Sequence, residues 1–146
     1  MLEGKHIAIL GAGRSGRAAA ALALKYGATV CVYDSRGEEC FKGLPVGVGV
    51  VANATVELGR GVESDLLVIS PGIDTYGDFV RAFSEKTGEL IGETELASRF
   101  YDGKVIAITG TNGKTTTTEL VTRVMRAGGV SCEPCGNYGV PFSEVV

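Results

Sequence analysis

The chain has 146 residues, 45% hydrophobic and 21% charged, with 22 glycines and a formal net charge of −3. This apolar content excludes a disordered chain. The slight acidic balance excludes general binding to a nucleic-acid backbone, so any phosphate must be held by local amides and a few placed cations.

No apolar run reaches the roughly 18 residues of a membrane span. The start, MLEGKHIAIL, lacks the apolar stretch and small-residue cleavage site of a secretion signal. The chain is therefore expected to be cytoplasmic, with no membrane or nucleic-acid partner. Its four cysteines, Cys31, Cys40, Cys132 and Cys135, do not suggest a disulfide framework in such a setting.

Residues 6–10 (HIAIL) predict a short buried strand, and the alanine-rich stretch 16–26 a helix. Residues 29–33 (TVCVY), 46–52 and 66–70 (LLVIS) predict three more strands. A helix over 79–86 carries Phe79, Val80 and Phe83 on one face, and a fifth strand covers 89–91. Residues 105–109 (VIAIT) predict a sixth strand, 114–127 a helix with an apolar stripe of Leu120, Val121, Val124 and Met125, and 130–133 a last strand. Continuous apolar strands alternating with helices predict an α/β fold, a Rossmann-like parallel sheet covered on both faces. The polar stretch 93–104 (ETELASRFYDGK) reads as a junction. A complete domain is thus expected over residues 1–93. Residues 94–146 are expected to be the truncated beginning of a second domain, the first βαβ unit of a P-loop fold.

Two glycine loops carry the chemistry. The first, Gly11-Ala12-Gly13-Arg14-Ser15-Gly16, follows a predicted strand and opens a helix. There glycines permit a tight turn and close backbone approach to phosphate, while the helix N-terminus offers unpaired N–H groups to an anion. Asp34 ends the second strand, where an acid accepts hydrogen bonds from a ribose or a base. Alone, this half reads as dinucleotide binding, although Arg36, two residues after the acid, suits another phosphate or a different nucleotide. The second loop, Gly110-Thr111-Asn112-Gly113-Lys114-Thr115, resembles a shortened P-loop with Ile108 where the longer pattern has glycine. Its amides can wrap phosphate oxygens, Lys114 can reach the β- and γ-phosphates, and the Thr115 hydroxyl can bind Mg²⁺. A nicotinamide-dependent oxidoreductase has no use for this second loop, which argues against that alternative. A non-catalytic nucleotide-binding module remains the other reading.

The segments GAGRSG (11–16), YDSR (33–36), SPGI (70–73), GETEL (92–96), GTNGKT (110–115) and GNYGVP (136–141) resemble, in order and spacing, those of the Mur ligase family. GTNGKTTTT (110–118) closely matches that family's ATP-binding motif. The resemblance is to the members that add D-glutamate to UDP-N-acetylmuramoyl-L-alanine in peptidoglycan synthesis, whose first domain binds UDP instead of NAD. It implies that Arg14 and Ser15, with Gly11, Gly13 and Gly16, hold the UDP diphosphate. It further implies that Asp34 and Ser35 contact uracil with Arg36 beside them, and that Ser70, Pro71 and Gly72 form the loop under the uridine. Asn137 is implied to contact the UDP-sugar substrate from the central domain. Gly110, Thr111, Asn112, Gly113, Lys114, Thr115 and Thr116 are implied to hold ATP, with Lys114 and Thr115 catalytic and Thr115 on Mg²⁺. In such ligases a substrate carboxylate attacks the γ-phosphate of ATP, and the amine of D-glutamate then attacks the acyl phosphate. The remaining Mg²⁺ ligand, a modified lysine and the D-glutamate-binding domain are expected beyond Val146, so this chain alone is expected to be inactive.

Other signals carry less. Cys132-Glu133-Pro134-Cys135 spaces two thiols as in redox and zinc sites but runs into a loop, with no second pair. His6, the only histidine, stands at a strand start and reads as structural.

Overall fold

A computed structural model describes residues 2–146. Five parallel strands form one sheet in the order β3-β2-β1-β4-β5: β1 (His6–Leu10), β2 (Thr29–Tyr33), β3 (Gly49–Val51), β4 (Ser64–Ile69) and β5 (Thr87–Gly92). The helices are α1 (Arg14–Lys25), α2 (Val56–Gly59), α3 (Asp78–Ser84), α4 (Glu93–Ser98) and α5 (Lys114–Ala127). The expected α/β sheet is therefore present.

The period of two along a strand divides the core between the two faces. Ile7, Ile9, Leu66 and Val68 join the core on the face covered by α1 and α4, and Ala8, Leu10, Leu67 and Ile69 the one covered by α3. Alanines keep α1 close to the sheet: Ala19, Ala20 and Ala23 are fully buried, and alanine is also the strongest helix former. On the opposite face Phe83 is fully buried, its ring edge-on to Tyr33 and tilted against Phe79.

The third strand is shorter than expected. Residues 46–52 reduce to Gly49–Val51, because Gly47 turns at φ +95° and leaves Val46 fully exposed. A short edge strand limits the backbone it offers to other chains.

Two expectations fail in the second half. Residues 105–109 and 130–133 form no strand. A strand requires a neighbour for its amides, and these segments pair with none among the described residues. Val105 and Ile106 are each 60% exposed, as are Leu120 (61%) and Val124 (62%) on α5. The helix itself matches its expected bounds.

The junction also differs. The stretch 93–104 opens with α4, whose Leu96 and Ala97 are fully buried in the sheet core, so the packed body extends past residue 93. Phe100 stacks on Tyr26 at 4.0 Å between ring centroids. The end of the chain returns to the same body. Phe142, in a 3₁₀ turn (Phe142–Glu144), is buried against Tyr101, and the buried Glu93 carboxylate accepts the Ser143 N–H at 2.7 Å. The polarity of 93–104 suggested a junction, and helical periodicity is hard to read over the six residues of α4.

Phe83→Ala is expected to lower unfolding free energy by about 3–5 kcal/mol. Val124→Ala on the exposed face of α5 is expected to change it by no more than about 0.5 kcal/mol. Urea denaturation of the two variants checks the contrast, and similar losses would mean that α5 is covered.

Candidate functional site

In a parallel sheet every strand ends on the same edge, and ligands bind beyond those carboxyl ends where the strand order reverses. Here β1 lies between β2 and β4, so the loops after these three strands converge. They enclose a cleft of about 660 Å³. Gly11, Gly13, Arg14 and Ser15 line it from the β1 loop, Asp34, Ser35 and Arg36 from the β2 loop, and Ser70, Pro71 and Gly72 from the β4 loop.

Two expected members sit elsewhere. Gly16 lies beneath the loop, where a β-carbon would stand 1.8 Å from the Gly11 carbonyl oxygen and 3.2 Å from Ser70 Oγ. It sets how closely α1 rests on β1 without lining the cleft. Asn137 is exposed in the turn 136–141 and is not among the lining residues. Tyr33, Ile73 and Phe79 do line the cleft and were not expected to. They supply an apolar wall, which the alternating position of Tyr33 at the end of β2 and the apolar face of the 79–86 helix could have signalled. Burial, together with the Cys31 thiol, holds the Tyr33 hydroxyl protonated well above its ordinary range.

Asp34 organises the rim. It is 5% exposed. Its Oδ2 accepts the Ala12 N–H at 2.8 Å and Arg36 Nη2 at 2.8 Å, while Oδ1 accepts the Arg36 backbone N–H at 3.0 Å and Nε at 2.9 Å. A carboxylate has about four lone-pair sites, and all are engaged. Asp34 therefore joins the β1 loop to the β2 loop and orients the exposed Arg36 guanidinium at the cleft. The Arg36 side chain, offset in part by burial and reinforced by the Ala12 amide, holds the Asp34 carboxyl far below the usual carboxylate range. At the head of α1, Gly13 caps the helix without a side chain, leaving first-turn amides for an anion.

The second loop lies apart from this cleft. Gly113 adopts φ +78° at the head of α5, a left-handed turn that favours glycine. The Lys114 ammonium donates to the carbonyls of Gly110 and, at 3.3 Å, of Thr111, which keeps the cation over the loop. Gly110, Thr111, Asn112, Gly113, Lys114, Thr115 and Thr116 are all exposed. Among the described residues no three His, Cys, Asp or Glu side chains cluster as a metal site; the Thr115 hydroxyl, expected to meet Mg²⁺, stands exposed in the first turn of α5. That donor set fits an ion that retains water and takes its other ligands from phosphates. Cys132 and Cys135 are free thiols. Among the described residues no helix is long and apolar enough to cross a membrane.

The fold and the loop after β1 define a Rossmann-like α/β protein. No protein-family model matches the chain. It is 40% identical over 98% of its length to UDP-N-acetylmuramoylalanine–D-glutamate ligase of Lachnoclostridium phytofermentans, and 42% over 97% to that of Desulfatibacillum aliphaticivorans. It spans about a third of the length of these relatives (33% and 32%). Among solved structures it resembles a murein peptide ligase of Psychrobacter arcticus, with a TM-score of 0.56 and 26% identity over 86% of this chain and 27% of that one. It also resembles the UDP-N-acetylmuramate:L-alanyl-gamma-D-glutamyl-meso-diaminopimelate ligase of Neisseria meningitides, with a TM-score of 0.53 and 25% identity over 86% of this chain and 40% of that one. Over nearly its whole length the chain is similar to ligases of the Mur type, of which it matches the first third.

Because the folded Asp34 carboxyl ionises below the unfolded one, its contribution to stability is complete above about pH 4 and is lost as the pH falls further. Asp34→Ala is expected to cost about 1–3 kcal/mol at neutral pH, since the buried Ala12 N–H loses its acceptor. Denaturant titrations of wild type and variant across the acid range should show the difference shrinking below about pH 4. A pH-independent difference would exclude the ionised carboxylate as the source.

Proposed function

We propose that the chain is the part of a UDP-N-acetylmuramoyl-L-alanine:D-glutamate ligase that binds the UDP-linked substrate and holds the phosphates of ATP. One observation carries this reading: the motif residues of the three loops after β1, β2 and β4 line one cleft. The names of the relatives support the D-glutamate-adding specificity.

In this reading the amides at the head of α1, with Arg14 and Ser15, hold the diphosphate. Ser70, Pro71 and Gly72 lie under the uridine, and Asn137 reaches the sugar substrate. The Asp34 carboxylate has its acceptor sites filled from within the chain. Ser35 and the Arg36 guanidinium are then the groups that meet the uracil, with Asp34 holding them in place.

Residues 110–116 hold ATP. Lys114 neutralises charge as the substrate carboxylate attacks the γ-phosphate, and D-glutamate then displaces phosphate from the acyl phosphate. Mg²⁺, when bound, spreads phosphate charge, and Thr115 is its protein ligand here. Phosphoryl transfer of this kind depends on positioning and charge neutralisation, so binding and turnover are separable in this chain. The reaction uses cytoplasmic metabolites, which sets the expected location.

Calorimetric titration of the chain tests the reading. UDP is expected to bind at least about 10-fold more tightly than NAD, a difference of ~1.4 kcal/mol. Asp34→Ala is expected to weaken UDP by a similar factor. Lys114→Ala is expected to abolish measurable binding of Mg·ATP and leave binary UDP affinity unchanged. Equal affinities for NAD and UDP would overturn the assignment, and loss of UDP binding in the Lys114 variant would mean that the two loops are misassigned. Phosphate release from ATP by the chain alone is expected to stay at background, and Lys114-dependent release would contradict the proposed division of labour.

A further inference from the structure

The two loops lie in different parts of the chain, yet hydrogen bonds connect them through one turn. Tyr138, in the turn 136–141, donates its hydroxyl to the Glu119 carboxylate, five residues after Lys114 on α5. The next residue, Gly139, gives its carbonyl oxygen to Arg14 Nη1 at 2.9 Å, and Arg14 Nη2 also meets Glu144 Oε2 at 3.4 Å. A continuous path therefore runs from the second glycine loop through α5, Glu119, Tyr138, Gly139 and Arg14 to the first. The turn is closed by the Gly136 N–H, which donates to the Val140 carbonyl at 2.8 Å, and is followed by Phe142, buried in the sheet core.

The other ties on α5 lie farther from its head. Thr122 accepts from Cys132 at 3.7 Å, and Arg126 meets the Cys132 carbonyl and Glu133. Tyr138 thus holds the helix nearest to its phosphate loop. Glu119 is well suited as the acceptor. The Tyr138 hydroxyl and then Arg123 hold its carboxyl below the usual range, so the bond is charge-assisted.

We propose that Tyr138 is a positioning residue that couples the two glycine loops, so that a nucleoside triphosphate at residues 110–116 tightens a nucleoside diphosphate in the first cleft. The inference rests on the proposed assignment of the loops. Its physical basis is a shared ordering cost. A triphosphate orders the head of α5, and through Glu119 and Tyr138 it also orders the turn that bears on Arg14. The second ligand then has less to order. By linkage the effect is reciprocal.

The test is calorimetry on the 146-residue chain, using UDP with and without saturating Mg·AMPPNP. The wild type is expected to bind UDP at least about 5-fold more tightly in the presence of Mg·AMPPNP. In Tyr138→Phe, which keeps the ring, the ratio is expected to fall to about 1 while both binary affinities stay within roughly twofold of wild type. Glu119→Ala should behave alike, and Glu119→Gln, which keeps an oxygen acceptor, should retain most of the coupling. A residue that served only as packing would shift binary affinities or melting temperature and leave the ratio alone. Independent binding of both ligands in the wild type, or an undiminished ratio in Tyr138→Phe and Glu119→Ala, would overturn the coupling and leave the loop assignments standing. Failure of either ligand to bind the wild type would overturn the assignment and the coupling together.

Discussion

The close approach of Gly16 to the Gly11 carbonyl is the constraint on which the first cleft depends. With no β-carbon at that point, α1 starts directly above the end of β1 and lies flat on the sheet through its alanines. A side chain there would lift the head of the helix, and the amides of the first turn would no longer face the space between the loops after β1, β2 and β4. The parallel order of the sheet then determines the rest of the cleft, because all three loops leave from the same edge.

Asp34 adds to this frame. One buried carboxylate receives the Ala12 amide from one loop and both the backbone and the guanidinium of Arg36 from another. A charged acceptor in a nearly dry position makes such bonds strong and their absence costly. The acid read from the sequence as a ligand contact makes, in the fold, four hydrogen bonds to its own chain. The planar fork of Arg36 is held by two bonds to Asp34 while its outer side stays in water.

The second half of the chain contrasts with this order. Its glycine loop is exposed, its apolar helix face is uncovered, and the strand expected before the loop finds no partner among the described residues. The residues after it behave differently. The turn at 136–141 and the 3₁₀ turn at Phe142–Glu144 fold back onto α1 and α4, with Glu93 and Arg14 taking their backbone groups. The GETEL segment and the 3₁₀ turn directly after GNYGVP, widely separated in the chain, thus lie close together in the fold.

Much of the cleft was legible in the sequence. Unbroken β-branched runs mark strands buried on both faces, and glycines directly after a strand mark a phosphate-type loop, because these are local effects of chain geometry. By those rules β1, β2 and β4, the first glycine loop and Asp34 could be located from composition and spacing, whereas Ser35 and Ser70-Pro71-Gly72 were implied only by the resemblance. The bounds of α5 were likewise legible, from Gly113 at one end and the Gly128-Gly129 pair at the other. Tertiary structure alone decided the remainder. Whether VIAIT becomes a strand depends on a neighbour to receive its amides, which no property of those five residues reveals. Whether the polar stretch after Gly92 is a junction or part of the packed body depends on Leu96 and Ala97 finding the sheet. Whether Asp34 faces a ligand or its own chain depends on where the Ala12 amide and the Arg36 fork arrive. In each case the outcome follows from hydrogen-bond partners and apolar surfaces that lie far away in sequence, and only the folded chain brings them within reach.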